Sequence, residues 1–109
     1  MESIQFGNMT FKEGLNFTVR LGEKWKNQVC IGDFVKLNNG NAIRIDKIHV
    51  CKLRDVPQNV LDLEHDEKCR TLEGLEKELW VIYSDEIRTT EILNQPVTCL
   101  GFYVFRRIN

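Results

Sequence analysis

The sequence of 109 residues predicts an α+β fold, a small mixed β-barrel with two short helices packed on it. Three observations carry that expectation. Apolar and polar residues alternate over Phe17, Thr18, Val19 and Arg20, the period of a half-buried strand. In the longest strand, Ala42 to Leu53, the apolar set changes phase at Asp46-Lys47, from Ile43 and Ile45 to Ile48 and Val50. Such a change marks a β-bulge, which lets a sheet bend toward closure. Last, Val97 to Phe105 is apolar on both faces, as suits a strand with barrel interior on one side and helix on the other.

The remaining elements follow in order. Ile4 to Phe6 and Met9 to Phe11, broken by Gly7-Asn8, read as an opening strand or hairpin, and Lys12-Glu13-Gly14 as the turn into the next strand. Within that strand Phe17 and Val19 face one side, while Thr18 and Arg20 share the other and can meet one ligand. Glu23 to Gln28 reads as a basic loop in which Lys24 and Lys26 flank Trp25. Ile31 to Leu37 is a strand entered through Gly32-Asp33, where glycine supplies the turn and Asp33 bonds the backbone locally. Asn39-Gly40 suits a type I′ turn into the long strand. Asp55-Val56-Pro57-Gln58 has the form of a capping box for a helix to Leu63. After the charged connector Glu64 to Arg70, Thr71 caps a second helix to Tyr83. Its stripe of Leu72, Leu75, Leu79 and Ile82 is expected in the core. Ser84 to Pro96 is polar and irregular, and Arg106-Arg107 puts two charges at the rim.

Length and composition bound the function. One domain spans residues 1–109, and its chemistry sits on one small scaffold. No stretch approaches the roughly 18 apolar residues of a membrane span, and Met-Glu-Ser-Ile-Gln lacks the basic and apolar regions of a signal peptide. A soluble, cytoplasmic monomer without membrane contact is the expectation. Cys30, Cys51, Cys69 and Cys99 form no Cys-x-x-Cys pair and have only two histidines for company, so no metal and no cofactor are expected. The thiols read as buried or half-buried and free, with Cys69 beside Arg70 the one candidate nucleophile. Net charge is −1, divided as +4 over residues 1–54 and −5 over residues 55–109. A basic half suits phosphates; two solvated faces of a barrel give the same pattern.

The candidate site residues each have a structural alternative. Arg20 has a planar fork that clamps phosphate or a base edge, and it equally fits a rim ion pair. Thr18 is a candidate catalytic hydroxyl or a plain strand residue. Lys24, Trp25 and Lys26 combine charge with a stacking surface, the usual ingredients for single-stranded nucleic acid, while Trp25 also suits a plug for the barrel end. In the connector, His65 and Glu67 form an acid/base pair or part of a solvated loop, with Arg70 nearby. Tyr83 stacks a base or anchors its helix.

Thr18-Val19-Arg20, Gly32-Asp33, the long strand, the helix Thr71 to Tyr83 and the last strand, in this order and spacing, resemble an ASCH domain of the PUA-like superfamily, of the small single-domain bacterial and phage type. The resemblance runs from Phe11 to Phe105. It implies a PUA-like β-barrel with a cleft where the Thr-x-Arg strand, the loop after it and the inter-helix connector converge. It also implies binding of RNA, or of a nucleotide or modified nucleoside. Similar small proteins include an amidohydrolase that deacetylates acetylcytidine, and another ASCH member is associated with ribonuclease activity. The amidohydrolase branch has a Gly-x-Lys-Thr-x-Thr-x-Arg pattern, in which lysine activates a threonine nucleophile and a downstream glutamate moves protons. Thr18 and Arg20 match its end, and Glu67 is the nearest match to the glutamate. The chain from Gly14 to Thr18 is one residue shorter than the pattern and holds no lysine, Lys12 lying before Gly14.

The expected function is therefore a module that binds RNA or a nucleotide-like ligand in a basic cleft built from Thr18, Arg20, Lys24, Trp25, Lys26, Arg70 and Tyr83. One alternative is a small hydrolase of a modified nucleoside or RNA, using Thr18, Lys24 or Lys26, and Glu67. A protein-interaction domain is the other.

Overall fold

In the computed structural model, which describes residues 3–4, 6–37, 41–83 and 91–105, the alternating runs become strands β1 (Ser3–Ile4), β2 (Gly14–Leu21), β3 (Phe34–Leu37), β4 (Ala42–Lys52) and β5 (Pro96–Val104). They form one sheet in the order β1-β3-β4-β5-β2. β3, β4, β5 and β2 pair antiparallel, and the two-residue β1 lies parallel to β3, so the sheet is mixed. The change of phase in β4 is a register shift between Ile45 and Lys47, with Asp46 as the extra residue. This bulge adds twist to the longest strand, and the sheet curls into a half-barrel.

β5 has core on both faces. Leu100, Phe102 and Val104 pack with Ile43, Ile45, Val35 and the aromatic rings of Phe6 and Phe11. Val97 and Cys99 join Phe17 and Val19 of β2 beneath Val60, Leu61, Leu75 and Leu79. The last four come from the helices α2 (Gln58–Asp62) and α3 (Leu72–Tyr83). Gly101 lets the two layers meet, since a Cβ there would stand 3.0 Å from the Phe17 ring and 2.9 Å from Cβ of Lys47.

The edge of β2 decides why the sheet does not close on itself. The Phe17 N–H donates to the Leu63 carbonyl at 2.8 Å, and the His65 N–H donates to the Phe17 carbonyl at 2.9 Å. The connector thus adds a short parallel bridge at Glu64 and satisfies the strand edge. Gly74 holds the far end of the connector against α3: a Cβ there would lie 1.9 Å from the Lys68 carbonyl oxygen, so only glycine permits this approach.

Several expectations need correction. The stretch after Gly22 contains a single-turn helix, α1 (Trp25–Gln28), closed by the Val29 N–H on the Trp25 carbonyl at 3.2 Å. That makes three helices among the described residues where two were expected. β3 starts at Phe34 because residues 30–33 form the Gly-Asp turn, with Gly32 at φ +96° and the Cys30 N–H donating to Asp33 Oδ2 at 2.8 Å. No capping box forms at Asp55: that residue ends a 3₁₀ turn, Pro57 is the extended cap of α2, and Gln58 donates forward to Asp62 at 2.8 Å. Thr71 does cap α3, its hydroxyl accepting from the Gly74 N–H at 3.0 Å. Leu75 and Leu79 are buried, but Ile82 is 65% exposed at the end of the stripe. The Asn39-Gly40 turn, residues 84–90 and Arg106-Arg107 lie outside the described residues. No helix among the described residues is long and apolar enough to cross a membrane.

Candidate functional site

β2, the connector, the segment at Phe6 and α3 surround a cleft of about 410 Å³. β2 contributes Thr18 and Arg20, the connector Glu64, His65 and Asp66, and α3 the side chains of Leu79, Ile82 and Tyr83. The period of two in β2 sends Phe17 and Val19 to the helical core and leaves Thr18 and Arg20 on the opposite face.

Glu64 is the most unusual group in this cleft, being 2% exposed. The bridge to β2 carries it there, and two backbone donors hold its carboxyl: the Val19 N–H reaches Oε2 at 3.1 Å and the Asp66 N–H reaches Oε1 at 3.1 Å. Burial raises its pKa to about 7, outweighing those two hydrogen bonds and the nearby Arg20, which favour the anion. His65 Nε2 lies 3.5 Å from Glu64 Oε1. This contact is not an ion pair at neutral pH, because burial lowers the imidazole pKa to about 4. The ring is stacked on Phe11 at 5.0 Å and meets Phe6 edge-on at 4.9 Å. Among the described residues its Nδ1 has no aligned hydrogen-bond partner, although the Thr10 backbone is near enough to favour protonation.

Arg20 is held between rings. Its guanidinium carbon lies 4.8 Å from the Phe6 centroid and 5.4 Å from that of Trp25. Burial lowers its pKa from the ordinary arginine value, partly offset by Tyr83 and Glu64. Trp25, half-buried against the sheet core, thus bears on the cleft through Arg20.

Of the residues expected at the site, Thr18, Arg20 and Tyr83 line the cleft. Lys24 and Lys26 stand exposed on or beside α1 away from its lining, and Lys26 pairs with Glu23 at 3.3 Å. Glu67 is exposed at the start of a 3₁₀ turn and does not line the cleft; the carboxylate there is Glu64. The bridge to β2 fixes the rotation of the connector, turning residues 64–66 inward and Glu67 outward. Arg70 also stands outside the lining, where its Nε donates to the Glu64 carbonyl at 2.9 Å and braces the connector. The charged lining is Arg20 and Lys68 with Glu64, Asp66 and Glu78, so the cleft is mixed in charge where a basic one was expected. The described residues include every lysine of the chain, and none hydrogen-bonds the Thr18 hydroxyl. Burial pushes the Cys69 thiol up to about 12, away from the thiolate that a nucleophile requires.

No sequence signal singles out Glu64, since one acid in a run of charges looks like a solvated loop until the strand edge it covers is known. Comparison with known protein families, curated proteins and solved structures finds no match for the chain.

Proposed function

We propose that the cleft binds one small, base-bearing ligand, a modified nucleoside or nucleotide, within a PUA-like barrel of ASCH type. The observation that carries this reading is the buried Glu64 carboxyl, fixed by two backbone donors beside Arg20 and Thr18. A carboxyl and a guanidinium together present the acceptors and donors that a base edge requires. Leu79, Ile82 and Tyr83 add an apolar wall against which a base can lie. A cleft of about 410 Å³ suits a small molecule better than a length of strand, and its mixed charge favours a ligand with few phosphates. The order of strand, connector, helix and last strand supports the ASCH likeness.

Thermal shift and calorimetric titration against nucleosides and nucleotides, acetylated cytidine included, test the reading. At least one should raise the melting temperature, and Glu64→Gln and Arg20→Ala should each abolish the shift. Silence across the panel overturns the reading.

A second reading has its own support: a carboxyl with a pKa of about 7, in a cleft that Thr18 also lines, suits a base that takes a proton from water at neutral pH. In that hydrolase Glu64 is the base and water the nucleophile, because Thr18 lacks the lysine that would activate it. Deacetylation of acetylcytidine that is lost in Glu64→Gln and retained in Thr18→Val would favour it. Loss in Thr18→Val would return the hydroxyl to the reaction.

A further inference from the structure

β4 and β5 pass the chain to its helical part through one neck. β4 ends at Lys52, whose partner across the pair is Pro96, the first residue of β5. Residues 53–95 leave and return there, carrying the connector with Glu64 and the whole of α3. The Leu53 N–H donates to the Gln95 carbonyl at 2.9 Å, and the Arg54 guanidinium donates to Asn94.

Two thiols stand just inside this neck. Cys51 is opposite Val97 and Cys99 opposite His49, so the cysteines are diagonal neighbours on one face of the sheet. Their side chains hydrogen-bond each other. Cys99 is buried in the helical core, and Cys51 is half-buried at its margin. One thiol is thus open to a small reagent, and the other is placed to meet what forms on the first. Cys30 and Cys69 belong to other elements, the turn before β3 and the connector. The surroundings decide between the uses of such a pair. Burial raises both thiol pKa values, and Asp55 raises that of Cys51 further, so an anionic metal dithiolate is disfavoured. A disulfide carries no charge and suits the apolar core.

We propose that a peroxide joins Cys51 to Cys99, tying residues 53–95 to the sheet at their neck. The Cys51 thiolate attacks one oxygen of hydrogen peroxide, the O–O bond breaks, and a sulfenic acid and hydroxide result. The Cys99 sulfur then attacks the Cys51 sulfur and the S–O bond breaks; the departing hydroxide takes up the Cys99 proton. In sum, two thiols and one peroxide give a disulfide and two waters. The proposal is independent of the cleft reading.

The test treats the full chain carrying Cys30→Ser, which keeps the exposed thiol from linking molecules, with hydrogen peroxide at pH 8. Tryptic mapping should find the Cys51 and Cys99 peptides joined within one molecule and released by dithiothreitol. The oxidised protein should melt about 10 °C above the reduced one, because the tie restricts the unfolded chain. Cys51→Ser, at the half-buried position, should abolish both the link and the shift, whereas Cys69→Ser should preserve them. Four results overturn the proposal: no link, Cys51 stopping at sulfenic or sulfinic acid, a link to Cys69 or between molecules, or a link that leaves the melting temperature unmoved.

Discussion

Arg20 and Arg44 sit on opposite faces of one sheet, each with its guanidinium near two aromatic rings, and their surroundings make them opposites. Arg20 is drawn into the cleft, where desolvation lowers its pKa. Arg44 is half-buried, with its pKa raised, chiefly by the hydrogen bond to Asp46, whose own pKa falls for the same reason. The same stacking geometry therefore buries one charge at a cost and orients the other with little. A desolvated charge interacts strongly with whatever enters beside it, whereas an oriented charge already paired with a carboxylate acts mainly as a flat surface.

The largest test of this contrast is removal of the carboxyl that faces Arg20. Glu64→Ala leaves the Val19 and Asp66 N–H groups without their acceptor in a buried place. At about 1–3 kcal/mol for each orphaned donor, the loss in stability should be about 3 kcal/mol or more, measured by urea unfolding. Asp46→Asn, the matching change beside Arg44, should leave the urea midpoint nearly unmoved.

A second test uses pH. Between about 4.5 and 7 the folded chain keeps a proton on Glu64 that the unfolded chain has released, so this group makes stability fall as pH rises. Between about 4 and 6.5 the unfolded chain holds a proton on His65 that the folded chain has lost, so this group makes stability rise with pH. The two slopes oppose each other over their shared window, and the contribution of the pair there should be nearly flat. Glu64→Gln should uncover the His65 slope, a gain of about 3 kcal/mol across its window by the usual conversion of a pKa shift. Denaturation at a series of pH values in both proteins measures the difference, and parallel profiles would refute it.

A smaller effect is expected from Arg20→Lys. The compact ammonium cannot lie flat between Phe6 and Trp25, and stability should fall by about 1 kcal/mol. Arg44→Lys should leave the melting temperature unchanged. The smallest effect is on the thiol: alkylation of Cys69 should stay slow at pH 8, since the thiol titrates near 12, and exposed Cys30 should react first.

The parts of this architecture that were legible in the sequence are those set by neighbours along the chain. The bulge at Asp46 was visible as a phase change, the cap at Thr71 as its position before an apolar stripe, and the shared face of Thr18 and Arg20 as a period of two. Glu64 was not legible, because its role is to cover a strand edge about 45 positions away in sequence, and only the fold brings that edge to it. Lys24 and Lys26 were assigned to the cleft for their charge beside a stacking ring, and Glu67 as the nearest match to a glutamate in the resembled pattern; neither ground fixes the direction of α1 or the rotation of the connector. The alternation of β5 placed Tyr103 and Phe105 on the face of Val97 and Cys99. It held no information about how far the helices extend over that face.

The cover on β2 also bears on how the chain behaves when it fails. Leu63 and His65 occupy backbone positions along Phe17 that a strand from another molecule would otherwise take. Glu64, reaching the next N–H with its side chain, ends that pairing with a carboxyl where a further backbone strand would need a carbonyl. If the connector peels away, Phe17, Thr18 and Val19 are left as a short edge rich in residues that favour strand pairing. Losing the Glu64 contact should therefore do more than lower a melting point. It would expose a strand edge whose backbone groups are open to pairing with another chain.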